Sequence, residues 1–255
     1  MRPDERRTSI LELLHEHRKV TVDFLSEHLQ ASRETIRRDL TELATAGQLR
    51  KYHGGATVPE VQSEGAFSTR LHEYPHEKRA VGRLAAGLFS EGDTLFVDTG
   101  TTTLAFAREL AAATSGLTVV TNSLSITQIM SRSPGGHRVF LIGGEFRDEA
   151  SENVGPLAVA QVAQFSALDV VITVGAIDVN GVMDYELEEA EIARAMIARA
   201  RRVTVIADAS KLGRTALFSV CALDRIDRLV VSAAPEGALA ERLSAAKVEV
   251  LVPVL

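Results

Sequence analysis

Ser32-Arg33-Glu34-Thr35-Ile36-Arg37-Arg38-Asp39-Leu40 reads as the opening of a short helix with one apolar edge and one basic edge. Ile36, Leu40 and Leu43 recur at helical spacing and face inward. Ser32 is placed to cap the helix, its hydroxyl accepting a backbone N–H from the first turn. With Ile36 at the centre of the buried side, Glu34 and Arg38 lie nearly opposite, and Thr35, Arg37 and Thr41 flank them. A capped surface helix showing Arg and Thr outward suits the DNA major groove.

The neighbouring residues fit that reading. Residues 3–17 predict a first helix, with Pro3 in its first turn and Ile10, Leu13 and Leu14 as its apolar stripe. Thr21 is the expected N-cap of a second helix carrying Val22, Leu25 and Leu29. Only Gln30 to Ser32 separate that helix from the next, the spacing of a helix-turn-helix. After Gly47, the run Leu49-Arg50-Lys51-Tyr52-His53-Gly54-Gly55-Ala56 predicts a strand and glycine turn, a small β-wing beside the third helix.

The net charge of −6 is unevenly spread. Residues 1–57 hold ten Lys/Arg against nine Asp/Glu, so the acidic excess lies in the rest of the chain. For nucleic acid the local distribution matters more than the sum. The 255 residues suffice for a small domain and a medium one. No apolar run approaches the ~20 residues that span a bilayer, and the N-terminus is charged rather than signal-like. The single cysteine, Cys221, cannot close an internal disulfide. These features predict a cytoplasmic protein with no membrane partner.

Residues 59–76 lack sustained periodicity and read as a linker between a 1–58 domain and a 77–255 domain. Beyond it, apolar runs at 94–97, 117–120, 139–142, 170–174, 203–206, 229–232 and 248–252 alternate with helical segments at 77–89, 103–113, 123–132, 156–166, 186–201 and 236–246. The pattern predicts an α/β domain with a mainly parallel sheet covered on both faces. Ligands bind such sheets beyond the carboxyl ends of the strands.

The richest of those strand ends is Phe96-Val97-Asp98-Thr99-Gly100-Thr101-Thr102-Thr103-Leu104. Gly100 lets backbone approach a ligand, and successive N–H groups at the helix start point at an anion. The threonines add hydroxyl donors. The lysine of a nucleotide P-loop is missing, which argues against a nucleoside triphosphate. Thr121-Asn122-Ser123, Gly143-Gly144 and Gly175-Ala176 follow the next strands, and Lys211 follows a later one as the cation for a phosphate. The simpler reading of Lys211 is a solvated loop residue. Asp184-Tyr185-Glu186-Leu187-Glu188-Glu189 can bring carboxylates to sugar hydroxyls, although Glu189 and Glu191 read more simply as acids at a helix N-terminus.

One motif is set aside. His72-Glu73-Tyr74-Pro75-His76 fits H-E-x-x-H, but Pro75 disfavours helical geometry at Tyr74 and better begins the next helix. No metal, cofactor or catalytic residue is expected.

The registers Val22-Asp23-Phe24-Leu25, Ser32 to Leu40 and His53-Gly54-Gly55-Ala56 closely resemble the DeoR family of bacterial transcriptional regulators. The resemblance continues through Glu77-Lys78-Arg79, Asp98 to Thr102, Thr121-Asn122-Ser123, Gly143-Gly144 and Asp208-Ala209-Ser210-Lys211. It implies a winged helix-turn-helix that binds double-stranded operator DNA, usually as a repressor of carbohydrate metabolism. It also implies a sensor domain similar to ribose-5-phosphate isomerase that binds a phosphorylated sugar or related metabolite, and assembly as a dimer or tetramer. The DNA-contact residues it implies are Ser32, Arg33, Thr35, Arg37 and Arg38, with Lys51 and His53 on the wing. The effector-binding residues are Asp98, Thr99, Gly100, Thr101, Thr102, Thr103, Asn122, Ser123, Gly144, Gly175, Asp178 and Lys211. Where many relatives carry a G-A-D-G-I-D type sequence, this chain reads Gly175-Ala176-Ile177-Asp178-Val179-Asn180-Gly181, without the early carboxylate. The rival reading from another class is a sugar-phosphate isomerase with an appended domain, with Asp98, Asp178 or Glu188 as its base.

Overall fold

A computed structural model describes residues 3–17, 19–45, 49–52, 54–57 and 65–254. The chain divides into two compact units, 1–63 and 64–255.

In the first unit, α1 (Pro3–His17), α2 (Val22–His28) and α3 (Arg33–Thr45) pack around a core that includes Ile10, Leu14, Leu25, Ile36 and Leu40. Thr21 caps α2 as its sequence position requires, Oγ1 accepting the Phe24 N–H at 3.1 Å. The strands β1 (Lys19–Thr21), β2 (Arg50–Tyr52) and β3 (Gly55–Thr57) form an antiparallel sheet in the order β1-β3-β2. The wing thus has a third strand, β1, which three residues with only Val20 buried did not announce.

In the second unit α4 (Phe67–Arg70) and α5 (Pro75–Ala86) come first. The stretch read as linker therefore contributes structure. Phe67 is buried, and its N–H donates to Glu149 Oε1 at 2.9 Å. Pro75 stands in the first turn of α5, and Tyr74 before it is left-handed at φ 52°, so the H-E-x-x-H residues share no continuous helical turn.

Then follow β4 (Thr94–Val97), α6 (Thr101–Ala113), β5 (Thr118–Thr121), α7 (Leu124–Arg132), β6 (Arg138–Leu141), β7 (Glu145–Arg147), β8 (Glu152–Val154), α8 (Pro156–Val162) and β9 (Ala167–Ile172). β10 (Ala176–Asp178), β11 (Gly181–Asp184), α9 (Leu187–Ala198), β12 (Ala200–Ala207), β13 (Phe218–Cys221), β14 (Arg228–Val231), α10 (Gly237–Ala245) and β15 (Glu249–Leu251) complete the unit. A seven-stranded sheet runs β15-β14-β12-β9-β4-β5-β6, every pairing parallel.

Its residues alternate between two cores. Leu95, Val97, Val171, Ile206 and Val230 pack with α5, α6 and α7, while Phe96, Val170, Ile172, Val205 and Val231 pack with α8, α9 and α10. Burial of both faces explains why these strands read as continuous apolar runs. All carboxyl ends therefore emerge along one rim. Two small antiparallel sheets, β7-β8 and β10-β11-β13, lie outside the main one. Among the described residues no helix is long and apolar enough to cross a membrane.

Candidate functional site

On α3 the buried edge is Ile36, Leu40 and Leu43, and Arg33, Glu34, Arg37, Arg38 and Thr41 are exposed. Ser32 Oγ accepts the Thr35 N–H at 3.1 Å and lies 2.8 Å from Thr35 Oγ1, so both hydroxyls already organise the first turn. Arg33 reaches Asp23 of α2 at 2.8 Å with both side chains about two-thirds exposed, a pair too wet to hold the guanidinium firmly. Arg37 lies 3.9 Å from Glu34, also in the open. Lys51 Nζ donates to Thr41 Oγ1 at 2.7 Å, and that hydroxyl donates to the Arg37 carbonyl at 2.7 Å, tying wing to helix. His53 lies outside the described residues.

Asp39, in the middle of the motif, is buried. Arg6 of α1 donates to both its oxygens, at 2.5 and 3.2 Å. Its role is to lock α3 onto α1, leaving the exposed arginines to face outward.

The second constellation is on the rim of the parallel sheet. Asp98 and Thr99 end β4, and Gly100 opens α6 with extended backbone and no side-chain cap. The first N–H groups of a helix have no intrahelical acceptor. Thr101, Thr102 and Thr103 carry them here, all buried. Thr103 spends its hydroxyl on the Gly100 carbonyl at 3.1 Å.

Lys78 lines a cavity with Thr101 of this helix start, and Lys211 lies close enough to Lys78 for the two charges to interact. Lys211 ends a short 3-10 turn, Ala209–Lys211, and is buried, which overturns the reading of a solvated loop lysine. Lys78 on α5, absent from the residues expected at the site, is buried as well and donates to the Arg70 carbonyl at 2.6 Å. Burial lowers its pKa; Asp208 opposes that shift and the Lys211 charge adds to it. A cavity of about 350 Å³ is lined by Lys78, Arg79, Thr101, Arg108 and Glu109 among others.

Carboxylates gather on the other side. Asp98 accepts the Thr173 N–H at 3.1 and 3.2 Å, and burial, with Asp184, Glu189 and Glu152 nearby, holds its carboxyl well above the usual range. Glu152 on β8, which the sequence did not single out, is buried and accepts from Asn122 Nδ2 at 3.3 Å. Burial pushes its pKa up to about 7, with Asp184 adding to the rise and Thr99, Arg147 and Asn122 opposing it. The structure therefore groups Asp98, Thr99, Asn122, Glu152, Thr173 and Asp184, and separately sets Lys78 on a cavity with Thr101 and close to Lys211.

Four expected residues have visible structural work. Ser123 caps α7, its Oγ accepting the Ile126 N–H at 3.4 Å. A Cβ on Gly144 would lie 2.6 Å from the Val154 carbonyl, and one on Gly175 would lie 2.5 Å from the Tyr185 ring. Asp178 closes the β10–β11 hairpin, accepting the Asn180 and Gly181 N–H groups at 2.7 and 3.2 Å and the Asn180 amide at 3.2 Å.

Residues 73–233 match the DeoR C terminal sensor domain, and residues 6–62 match the DeoR-like helix-turn-helix domain. This chain belongs to the DeoR family of transcriptional regulators. It is 33% identical over 253 residues to the HTH-type transcriptional repressor GlcR of Bacillus subtilis, covering 99% of this chain and 97% of that one. The glycerol-3-phosphate regulon repressor of Escherichia coli is 31% identical over 236 residues, 92% of this chain and 93% of its own. The lactose phosphotransferase system repressor of Staphylococcus aureus is 32% identical over 239 residues, covering 91% and 92%. Among solved structures, a D-ribose-5-phosphate isomerase in complex with phospho-erythronic acid aligns over 54% of each chain at 15% identity, with a TM-score of 0.41. The family is one of DNA-binding regulators rather than enzymes, so the isomerase reading is set aside.

Proposed function

We propose that this regulator is a cytoplasmic repressor of a carbohydrate or polyol-phosphate operon, released from its operator by a phosphorylated sugar or related metabolite. The observation that carries the proposal is the buried, uncapped start of α6, with Lys78 on a cavity beside Thr101 and Lys211 close to Lys78. Helix N–H dipoles and two buried ammonium groups make a site for a phosphate, which carries nearly two charges near neutral pH. Relatives named as repressors of glycerol-3-phosphate and lactose phosphotransferase systems support a phosphorylated signal.

Arg33, Arg37, Arg38 and Lys51 neutralise phosphates or read guanine edges, with Ser32, Thr35 and His53 as further contacts. Assembly as a dimer or tetramer presents paired α3 helices to related half-sites in phase with the DNA repeat. The effector acts by binding more tightly to the arrangement that fits DNA poorly. The test selects an operator from random-sequence duplexes with the full-length protein, then titrates sugar and polyol phosphates into the complex in a gel shift. Release by at least one of these phosphates at concentrations where inorganic phosphate has no effect is expected. No selected duplex, or release by none of them, would overturn the reading.

A further inference from the structure

We infer that Glu152, with Thr99 and Asn122, forms the subsite that reads the hydroxyl-bearing end of the effector, so that the sensor prefers polyhydroxy phosphates to a bare phosphate. The inference rests on the effector reading above and specifies what lies beyond the phosphate.

The fold leaves hydrogen-bonding capacity unsatisfied beside Glu152. Glu152, Asn122 and Thr99 are all at least nine-tenths buried. Buried polar groups are normally hydrogen-bonded, because desolvation without a partner is costly. Here Asn122 Oδ1 has no hydrogen-bond partner among the described residues, and the Thr99 hydroxyl is turned to Glu152. Asn122 divides its amide between Glu152 at 3.3 Å and the Asn153 carbonyl at 3.2 Å, both long. Nothing in this cluster resembles the short bidentate pair by which Arg6 fixes Asp39. A carboxylate buried for architecture alone is met by donors. This one is met by a long amide bond, the Thr99 hydroxyl and an arginine shared with Glu188, with other acids beside it.

Placement gives the vacant bonds a direction. Thr99 and Asn122 end adjacent parallel strands, and Ser123 bridges Glu152 through backbone pairing, so the hairpin lies across the rim. Thr99 is two residues before the α6 N–H groups. A ligand whose phosphate sits there presents its next carbons to Glu152 and Asn122. Several acceptors together call for a ligand rich in donors, which hydroxyl groups supply.

The groups facing Glu152 fix the sign of its pH dependence. They are Asp98 and Thr99 after β4, Asn122 after β5, Arg147 on β7 and Asp184 on β11. Arg147 also pairs with Glu188 of α9 at 2.8 Å, so it is shared rather than dedicated to Glu152. Ligand hydroxyls donating to Glu152 favour its ionised form, so the preference for polyols strengthens as pH rises through about 7.

The experiment is calorimetric titration of the full chain, wild type and Glu152→Gln, with inorganic phosphate, glycerol 3-phosphate and a panel of pentose and hexose phosphates, at pH 6 and pH 8. Thermal melts check that the variant is folded, and Asn122→Ser provides a second, independent removal of an acceptor. At least one polyhydroxy phosphate should bind about tenfold or more tighter than inorganic phosphate, the worth of one hydrogen bond to a charged group. Glu152→Gln should remove that ratio while changing inorganic phosphate binding less than about twofold. From pH 6 to pH 8 the wild-type ratio divided by the Glu152→Gln ratio should grow, a quotient from which the different second ionisations of inorganic phosphate and a phosphomonoester cancel. A ratio unchanged by Glu152→Gln, an equal loss for both ligands, or no panel member exceeding inorganic phosphate would overturn the inference while leaving phosphate sensing intact. Failure of inorganic phosphate and every panel member to bind the wild type would remove the effector reading itself, and this inference with it.

Discussion

Gly100 and Thr173 meet so closely that a Cβ on the glycine would lie 2.1 Å from Thr173 Cγ2. The glycine is required by this contact and not by its dihedral angles, since its backbone is extended at φ 170°. Thr173 in turn uses its N–H to hold Asp98. Gly100→Ala should therefore destabilise the second unit by about 1–3 kcal/mol, the usual cost of overpacking. Adding Thr173→Ser, which deletes the offending methyl, should restore most of it. Urea unfolding of the two variants checks this, and a stable single variant would sink the idea.

Lys78 is the cation that was not expected at the site, and its test separates sensing from DNA binding. Lys78→Gln and Lys211→Gln should each weaken inorganic phosphate binding by about tenfold, while affinity for a selected operator stays within about twofold. Titration calorimetry and gel shift supply the two readouts. Equal damage to both would indicate a folding defect instead.

For the reading helix the discriminating variable is salt. Arg38→Ala should lower operator affinity by about tenfold or more. If Arg38 contacts a phosphate, the slope of log affinity against log salt should fall by about one, and all sequences should weaken alike. If it reads a base edge, the slope should change little and discrimination at one base pair should be lost. Affinity and slope both at wild-type values would remove Arg38 from the interface.

Glu152 also makes a prediction about stability without ligand. Its folded pKa, about 7, is above the ordinary 4.5 of a glutamate. The folded state therefore holds a proton that the unfolded state releases, and this contribution is present at low pH and lost as pH rises from about 4.5 to about 7. Above that window both states are ionised and the cost of the buried charge is constant, at up to about 3 kcal/mol. Glu152→Gln should thus melt progressively higher than wild type as pH is raised from 5 towards 7, with the gap level beyond that range. A gap independent of pH would contradict the assignment.

The strands of the large sheet were legible because burial on both faces leaves no polar residue to break a run such as Leu95-Phe96-Val97 or Val170-Val171-Ile172. Helix starts were legible where a side chain announces them, as at Thr21, Ser32 and Pro75. The small strands were not. Glu145-Phe146-Arg147 and Glu152-Asn153-Val154 are three residues each, with mixed polarity, and only tertiary pairing makes them strands. That is also why Glu152 escaped notice: no spacing in the sequence says that the hairpin returns to Asn122. Lys78 was quoted within Glu77-Lys78-Arg79 but gave no sign of being buried, because α5 lies far in the chain from the loop it serves. Asp178 and Ser123 were expected as effector contacts, and their side chains close a local turn and a helix cap.

The β7–β8 hairpin pairs with itself and with the loop after β5, and with none of the seven strands of the sheet. The groups proposed to hold the phosphate are thus embedded in the scaffold, while the one proposed to discriminate among its bearers rides on a separate hairpin. Positions 145–148 belong to neither apolar core of the sheet, so change there leaves both cores intact. New signals can then be adopted by an old switch through a few changes in one short hairpin.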